Sequence, residues 1–196
     1  KKIAKKYAID TRYKRPLSTS KDKSSTISTL KHSSDWYLKN DDYDAMKHRT
    51  STAVNGTTAN YGKMLSLARK DMEDQENYQA VADVLHIDNF ITYMIANYYV
   101  GNTDWAHQNW YATYNKVSPD GKWYYHSWDP EHCMESTGHD STGRNDSGGP
   151  TEVFHRLIKN QEFKLRFADI VRKHFFNGGV LTPEETAKAY LKLANP

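Results

Sequence analysis

Between Ile87 and Tyr99, apolar side chains return every three or four positions: Ile87, Phe90, Ile91, Met94, Ile95, Tyr98 and Tyr99. That period puts them on one face and predicts an amphipathic helix. Asp83 or Asp88 is expected to cap its start, and Gly101 suits the residue just past its end. Two stripes precede it, Tyr61, Met64, Leu65, Leu67 and Ala68, then Tyr78, Val81, Ala82 and Leu85, with the charged run Arg69 to Glu76 between them. After the central helix come two aromatic-rich runs, Trp110 to Tyr114 and Lys122 to Trp128, joined by Ser118-Pro119-Asp120-Gly121. Pro and Gly at those places predict a hairpin turn.

Glu131 to Pro150 has four glycines and no apolar period, so it reads as a loop. Val153, Phe154, Leu157 and Ile158 then form a short stripe. Phe163, Phe167, Ile170, Val171, His174 and Phe175 form a longer one that ends at Gly178-Gly179. Thr182-Pro183-Glu184-Glu185 has the capping spacing, with Pro at the first helical position, and predicts a last helix to about Ala194. The fold class that follows is α+β, a mostly helical domain with a small hairpin.

Residues 1–58 are different. They are rich in Lys, Ser, Thr and Asp without a sustained apolar period, and short strands are expected only near Tyr7 to Ile9 and Trp36 to Leu38. Residues 1–49 carry 13 Lys and Arg against 6 Asp and Glu, so a net charge of +3 for the chain leaves −4 for the remainder. A basic head on a mildly acidic body is compatible with acidic partners or phosphates, but the cations are scattered among Ser and Thr without interleaved aromatics, which argues against a nucleic-acid surface. Two parts are therefore expected: a polar segment over 1–58, and a helical lobe over 59–196. The chain opens on Lys1 and is read as a processed or excised piece whose head packs on a preceding lobe. No apolar run reaches the length of a membrane span, and Cys133, the single cysteine, excludes an internal disulfide.

The chemistry concentrates where the helix meets the hairpin. The loop Gly101-Asn102-Thr103-Asp104-Trp105-Ala106-His107-Gln108-Asn109 holds Asp104 and Asn109 five positions apart, and the hairpin delivers Trp128-Asp129. Phosphoryl transfer needs a carboxylate to orient the attacking hydroxyl and oxygen ligands for the divalent metal on the nucleotide phosphates. Protein kinases supply these from an Asp-x-x-x-x-Asn loop followed by a short hairpin and a second Asp. The spacing alone is a weak signal; its placement between a strong helix and a hairpin restricts it far more.

These pieces resemble the spore coat protein H family of atypical, secreted or surface-associated kinases. The likeness runs through Asp88-Asn89-Phe90-Ile91, Tyr98 to Trp105, Asn109, Gly121-Lys122-Trp123 and Trp128-Asp129. It continues in Arg166-Phe167-Ala168-Asp169, His174-Phe175-Phe176 and Gly179 to Pro183. The resemblance implies a kinase-like C-terminal lobe, with Asp104 as catalytic carboxylate, Asn109 and Asp129 as metal ligands, ATP with Mg²⁺ or Mn²⁺ as cofactors, and a Ser or Thr hydroxyl of a protein as acceptor. The family pattern has a second Asp two residues after the metal Asp; here Glu131 stands there. No Gly-rich loop before a Lys-bearing strand is present, Lys31 and Lys39 being the nearest substitutes, so weak nucleotide binding by this chain alone is expected. Two other functions stay open: a catalytically inactive surface scaffold or adhesin, and a metal-assisted hydrolase. His126, Glu131, His132, Cys133 and His139 form a loose group whose spacing matches no zinc motif. Asn55-Gly56-Thr57 and Asn145-Asp146-Ser147 are glycosylation sequons.

Overall fold

The hairpin belongs to a larger sheet. In the computed structural model, which describes residues 41–47 and 52–194, β1 (Tyr43–Lys47) and β2 (Ala53–Asn55) join β3 (Trp110–Asn115) and β4 (Trp123–Ser127) in an antiparallel sheet of order β2-β1-β3-β4. β1 and β2 lie inside the segment expected to be a polar head. Its apolar content is local: Tyr43, Ala45 and Met46 are buried, and β1 runs beside β3 from Tyr43 opposite Asn115 to Lys47 opposite Tyr111. A pattern of five residues is too short to stand out against the Lys and Ser around it. The strands expected near Tyr7 and Trp36, together with Lys31 and Lys39, lie outside the described residues.

Six helices complete the described fold, α1 (Ala59–Ala68), α2 (Gln75–Ala82), α3 (Ile87–Tyr99), α4 (Pro150–Leu157), α5 (Gln161–Phe175) and α6 (Pro183–Ala194). None is long and apolar enough to cross a membrane. Helix α3 is the predicted central helix, but its cap is neither Asp83 nor Asp88. The Nδ1 of His86 accepts from the amide of Asn89 at 3.2 Å, while Asp88 is held by Arg166 of α5. Gly101 stands just past the helix with φ of 55°, the left-handed conformation that glycine adopts at least cost.

The start of α3 is tied to the edge of the sheet. The amides of Trp123 and His86 bond to Val84 O and Trp123 O at 2.7 and 3.0 Å, and Asn89 both donates to Tyr125 O and accepts from Tyr125 N, at 3.1 and 2.7 Å. An edge strand's free backbone groups are thereby satisfied. Aromatic packing fills the space between helix and sheet, with Phe90 and Tyr93 at 5.0 and 5.4 Å from the Tyr125 ring. Trp105, Trp110 and Trp123 are fully buried in this core. Helix and hairpin form one unit, and the Gly101 to Asn109 loop is the strap between them.

Candidate active site

The loop is fixed from both ends and through its middle. Asn97, buried in the last turn of α3, donates to Tyr93 O at 2.9 Å and accepts from the Asn102 side chain at 3.1 Å. Asn102 in turn accepts from the amide of Asp104 at 3.3 Å, an Asx-type turn. Trp105 plugs the loop into the core, edge-on to Tyr93 and Tyr98 at 5.7 and 5.8 Å. Gly149 lies so close that a Cβ there would sit 2.6 Å from Ala106 O, so only glycine fits beside the loop.

Within this frame Asn109 donates to Oδ2 of Asp104 at 2.7 Å, and Gln108 approaches the same oxygen at 3.4 Å. The other oxygen of Asp104, Oδ1, is buried and has no hydrogen-bond partner. Buried polar atoms are almost always paired, and Oδ1, unlike the core Trp and Tyr groups that also lack a partner, is a carboxylate oxygen able to take a hydroxyl, water or cation. The two loop residues picked out by spacing are thus brought together.

Asp129, between Trp128 and Pro130, is exposed: β4 ends at Ser127 and the chain turns at Asp129 with φ of 50°. Two residues on, the chain returns to the loop. The ligand atoms of Asp104, Glu131 and His132 lie within 4.8 Å of one another. Glu131 is the residue that departs from the family pattern, and the fold places it beside Asp104. Of the loose His and Cys group only Glu131 and His132 join this cluster; His126 is bonded instead to Thr113 on β3 at 2.8 Å.

The neighbourhood is negative. Burial first, then the charges of Asp104, Glu131 and Glu135, push the Cys133 thiol above its usual range. Glu135 accepts from His132 Nδ1 at 2.7 Å and raises the basicity of that imidazole. Two carboxylates, one of them with an unpartnered buried oxygen, and one imidazole form a donor set that suits a divalent cation, and the Glu135 carboxylate orients that imidazole.

Sequence reasoning missed the residues that hold the Glu131 to Pro150 segment down. Arg144 donates to the carbonyl of Thr103, the residue before Asp104, and to His107 Nδ1 at 3.0 Å, while its own carbonyl bonds to His155 of α4 at 2.8 Å. The amides of Thr103 and Met134 bond to His132 O and Val100 O at 3.0 and 2.7 Å. The far end is held by Glu152, bidentate to Arg69 at 2.7 and 2.9 Å and accepting from Gly148 N at 2.5 Å. No local pattern announces such pairs: the backbone bonds carry no residue signature, and the side-chain pairs Arg144–His107 and Arg69–Glu152 join residues 37 and 83 positions apart.

A family model described as CotH kinase protein matches residues 7–194. No curated protein and no solved structure matches the chain.

Proposed function

Since the chain belongs to the CotH kinase protein family, we propose that it is the catalytic lobe of a metal-dependent atypical protein kinase, transferring the γ-phosphoryl group of ATP to a protein hydroxyl, foremost serine. The observation that carries this is the state of Asp104. One oxygen is anchored by Asn109 at 2.7 Å, and the other is buried without a partner. A carboxylate so held presents a fixed acceptor to an incoming hydroxyl, which is what in-line attack on phosphorus requires of its orienting base.

In this scheme Asp104 accepts the hydroxyl proton as the oxygen attacks. Asn109 keeps the carboxylate from rotating away. Asp129, solvent-facing at the hairpin's end, and Glu131 with His132 beside Asp104 would hold Mg²⁺ or Mn²⁺. A divalent ion there supplies charge neutralisation on the phosphate oxygens. Arg144 fixes the peptide before Asp104 and so sets where the carboxylate points. The remaining half of the nucleotide cleft would come from residues outside this lobe.

The test is phosphotransfer from labelled ATP by the full-length protein, with Asp104→Asn and Asp129→Asn as controls. Transfer in the wild type that both substitutions abolish is the expected result. No transfer in the wild type, with partner binding unchanged in the variants, would leave a scaffold. Phosphate release without an acceptor would make it a hydrolase.

A further inference from the structure

Lys47 closes β1 at the end of the sheet where Asn109 and Asp129 emerge. It is paired in register with Tyr111, two residues after Asn109, while Trp110 is paired with Ser127, two residues before Asp129. Its ammonium lies over two rings at once, 5.2 Å from the centroid of Tyr111 and 5.1 Å from that of Trp128. The two rings meet edge to face at 4.8 Å. A cation within about 6 Å of an aromatic face is attracted by the ring quadrupole, and here one cation engages two faces.

The ring it grips is the residue immediately before Asp129. Asp129 has φ of 50°, a left-handed conformation uncommon outside glycine though better tolerated by Asp than by most residues, and its exposed carboxylate shows no hydrogen bond or ion pair among the described residues. Neither the side chain of Asp129 nor regular strand pairing, which stops at Ser127, holds that turn. After it the chain is tied down by the Thr103 amide on His132 O; before it, the Trp128 ring packs on Tyr111 under the Lys47 ammonium. Strained residues of this kind persist where surrounding structure over-determines them.

We infer that Lys47 is a positioning residue: by bracketing Trp128 against Tyr111 it holds the left-handed turn at Asp129 and aims that carboxylate. The inference rests on the phosphotransfer role proposed for Asp129, but its structural half stands without it. The Lys47 ammonium is placed on the two rings. Arginine, which also stacks on aromatic faces, should replace it; methionine, which keeps an apolar stem and drops the charge, should not.

The experiment uses the full-length protein and its Lys47→Met, Lys47→Arg and Trp128→Leu variants. Hydrogen–deuterium exchange is followed in the peptide spanning 126–131, and Mn²⁺ binding by electron paramagnetic resonance. Lys47→Met is expected to speed exchange there and weaken Mn²⁺ binding, each by about tenfold, with exchange in α3 unchanged. Trp128→Leu should do the same, and Lys47→Arg should match the wild type. In phosphotransfer, the Mn²⁺ concentration for half-maximal rate should rise while the rate at saturating Mn²⁺ is kept. Wild-type exchange and Mn²⁺ binding in Lys47→Met, or equal loss in Lys47→Arg, would overturn the inference. A wild type that transfers no phosphate would instead overturn the proposed function, and the exchange data would still decide the role of Lys47.

Discussion

Asn109 donates a 2.7 Å hydrogen bond to Oδ2 of Asp104 and leaves Oδ1 buried and unpartnered. This division of labour within one carboxylate makes a distinct prediction for each partner. Asn109→Ala frees the carboxylate to rotate, whereas Asp104→Asn removes the proton acceptor itself. Loss of the acceptor should cost about 10²- to 10⁴-fold in kcat, with the KM for nucleotide little changed. Asn109→Ala should cost less in kcat but also raise the metal requirement. Steady-state phosphotransfer by the full-length variants checks both. Equal effects on every parameter would mean that the two residues only shape the loop.

Arg144 joins the segment after Asp129 to the peptide before Asp104 and to the ring of His107. Arg144→Ala should leave the helical core intact, because its bonds lie outside that core. Exchange in the peptide spanning 102–109 should rise, and kcat should fall by about tenfold or more, since small displacements of a reacting group are costly. A fall in melting temperature without local exchange changes would assign Arg144 to stability instead.

Glu152 and Arg69 make a prediction about stability. Arg69 first, then the Gly148 amide, holds the Glu152 carboxyl below its usual range, although burial opposes this. Arg69 is about half exposed, at 47%, so the pair is worth less than an enclosed one. Glu152→Gln should destabilise by about 2 kcal/mol near neutral pH, the range for hydrogen bonds to a charged group. A carboxyl whose folded pKa is depressed gives its stability above the unfolded value and loses it as pH falls through the folded one. Urea unfolding should therefore show the two proteins converging below about pH 4.

His126 adds a second pH window. Burial pushes it down to about 4, and its ring bonds to Thr113 at 2.8 Å. Between about pH 6.5 and that value the unfolded chain takes up a proton that the folded chain refuses, so stability should fall as pH falls, by at most about 1.4 kcal/mol per pH unit. The residue as a whole is half-buried, so the slope should stay under that ceiling. His126→Gln should flatten it, and thermal melts at pH 7, 6 and 5 would show this.

Periodicity exposed the helices because each repeats its apolar face over several turns, as α3 does from Ile87 to Tyr99. It did not expose β1, where a central strand of five residues sits in a polar stretch and declares itself only through pairing with β3. In the site, Asp104 and Asn109 were legible because their chemistry needs a fixed spacing on one loop. Glu131 stood out only as a departure from the family pattern, and its place beside Asp104 is set by a turn that no residue type announces. Arg144 and Lys47 act across the fold and leave no mark in local sequence. Both sequons are legible, but they differ in context: Asn55 donates to Tyr43 O at 2.9 Å, whereas Asn145 is exposed.

Glu131 and His132 carry the last prediction. If Asn109 and Asp129 were the sole metal ligands, removing the charge of Glu131 would change little. The cluster with Asp104, all ligand atoms within 4.8 Å, argues the opposite. Glu131→Gln should lower Mn²⁺ affinity by at least about tenfold, the scale seen even for groups that only orient a ligand. His132 sharpens the test. Imidazole adds a softer donor to two carboxylates, which favours Mn²⁺ over Mg²⁺ because Mg²⁺ keeps to oxygen and water. His132→Phe should thus weaken Mn²⁺ more than Mg²⁺ and narrow the difference between them. Glu135→Gln, which removes the carboxylate bonded to His132 Nδ1 at 2.7 Å, should act in the same direction and more weakly. Calorimetric titration of both ions into the full-length variants decides it: unaltered Mn²⁺ binding in Glu131→Gln would return the metal to Asn109 and Asp129 alone.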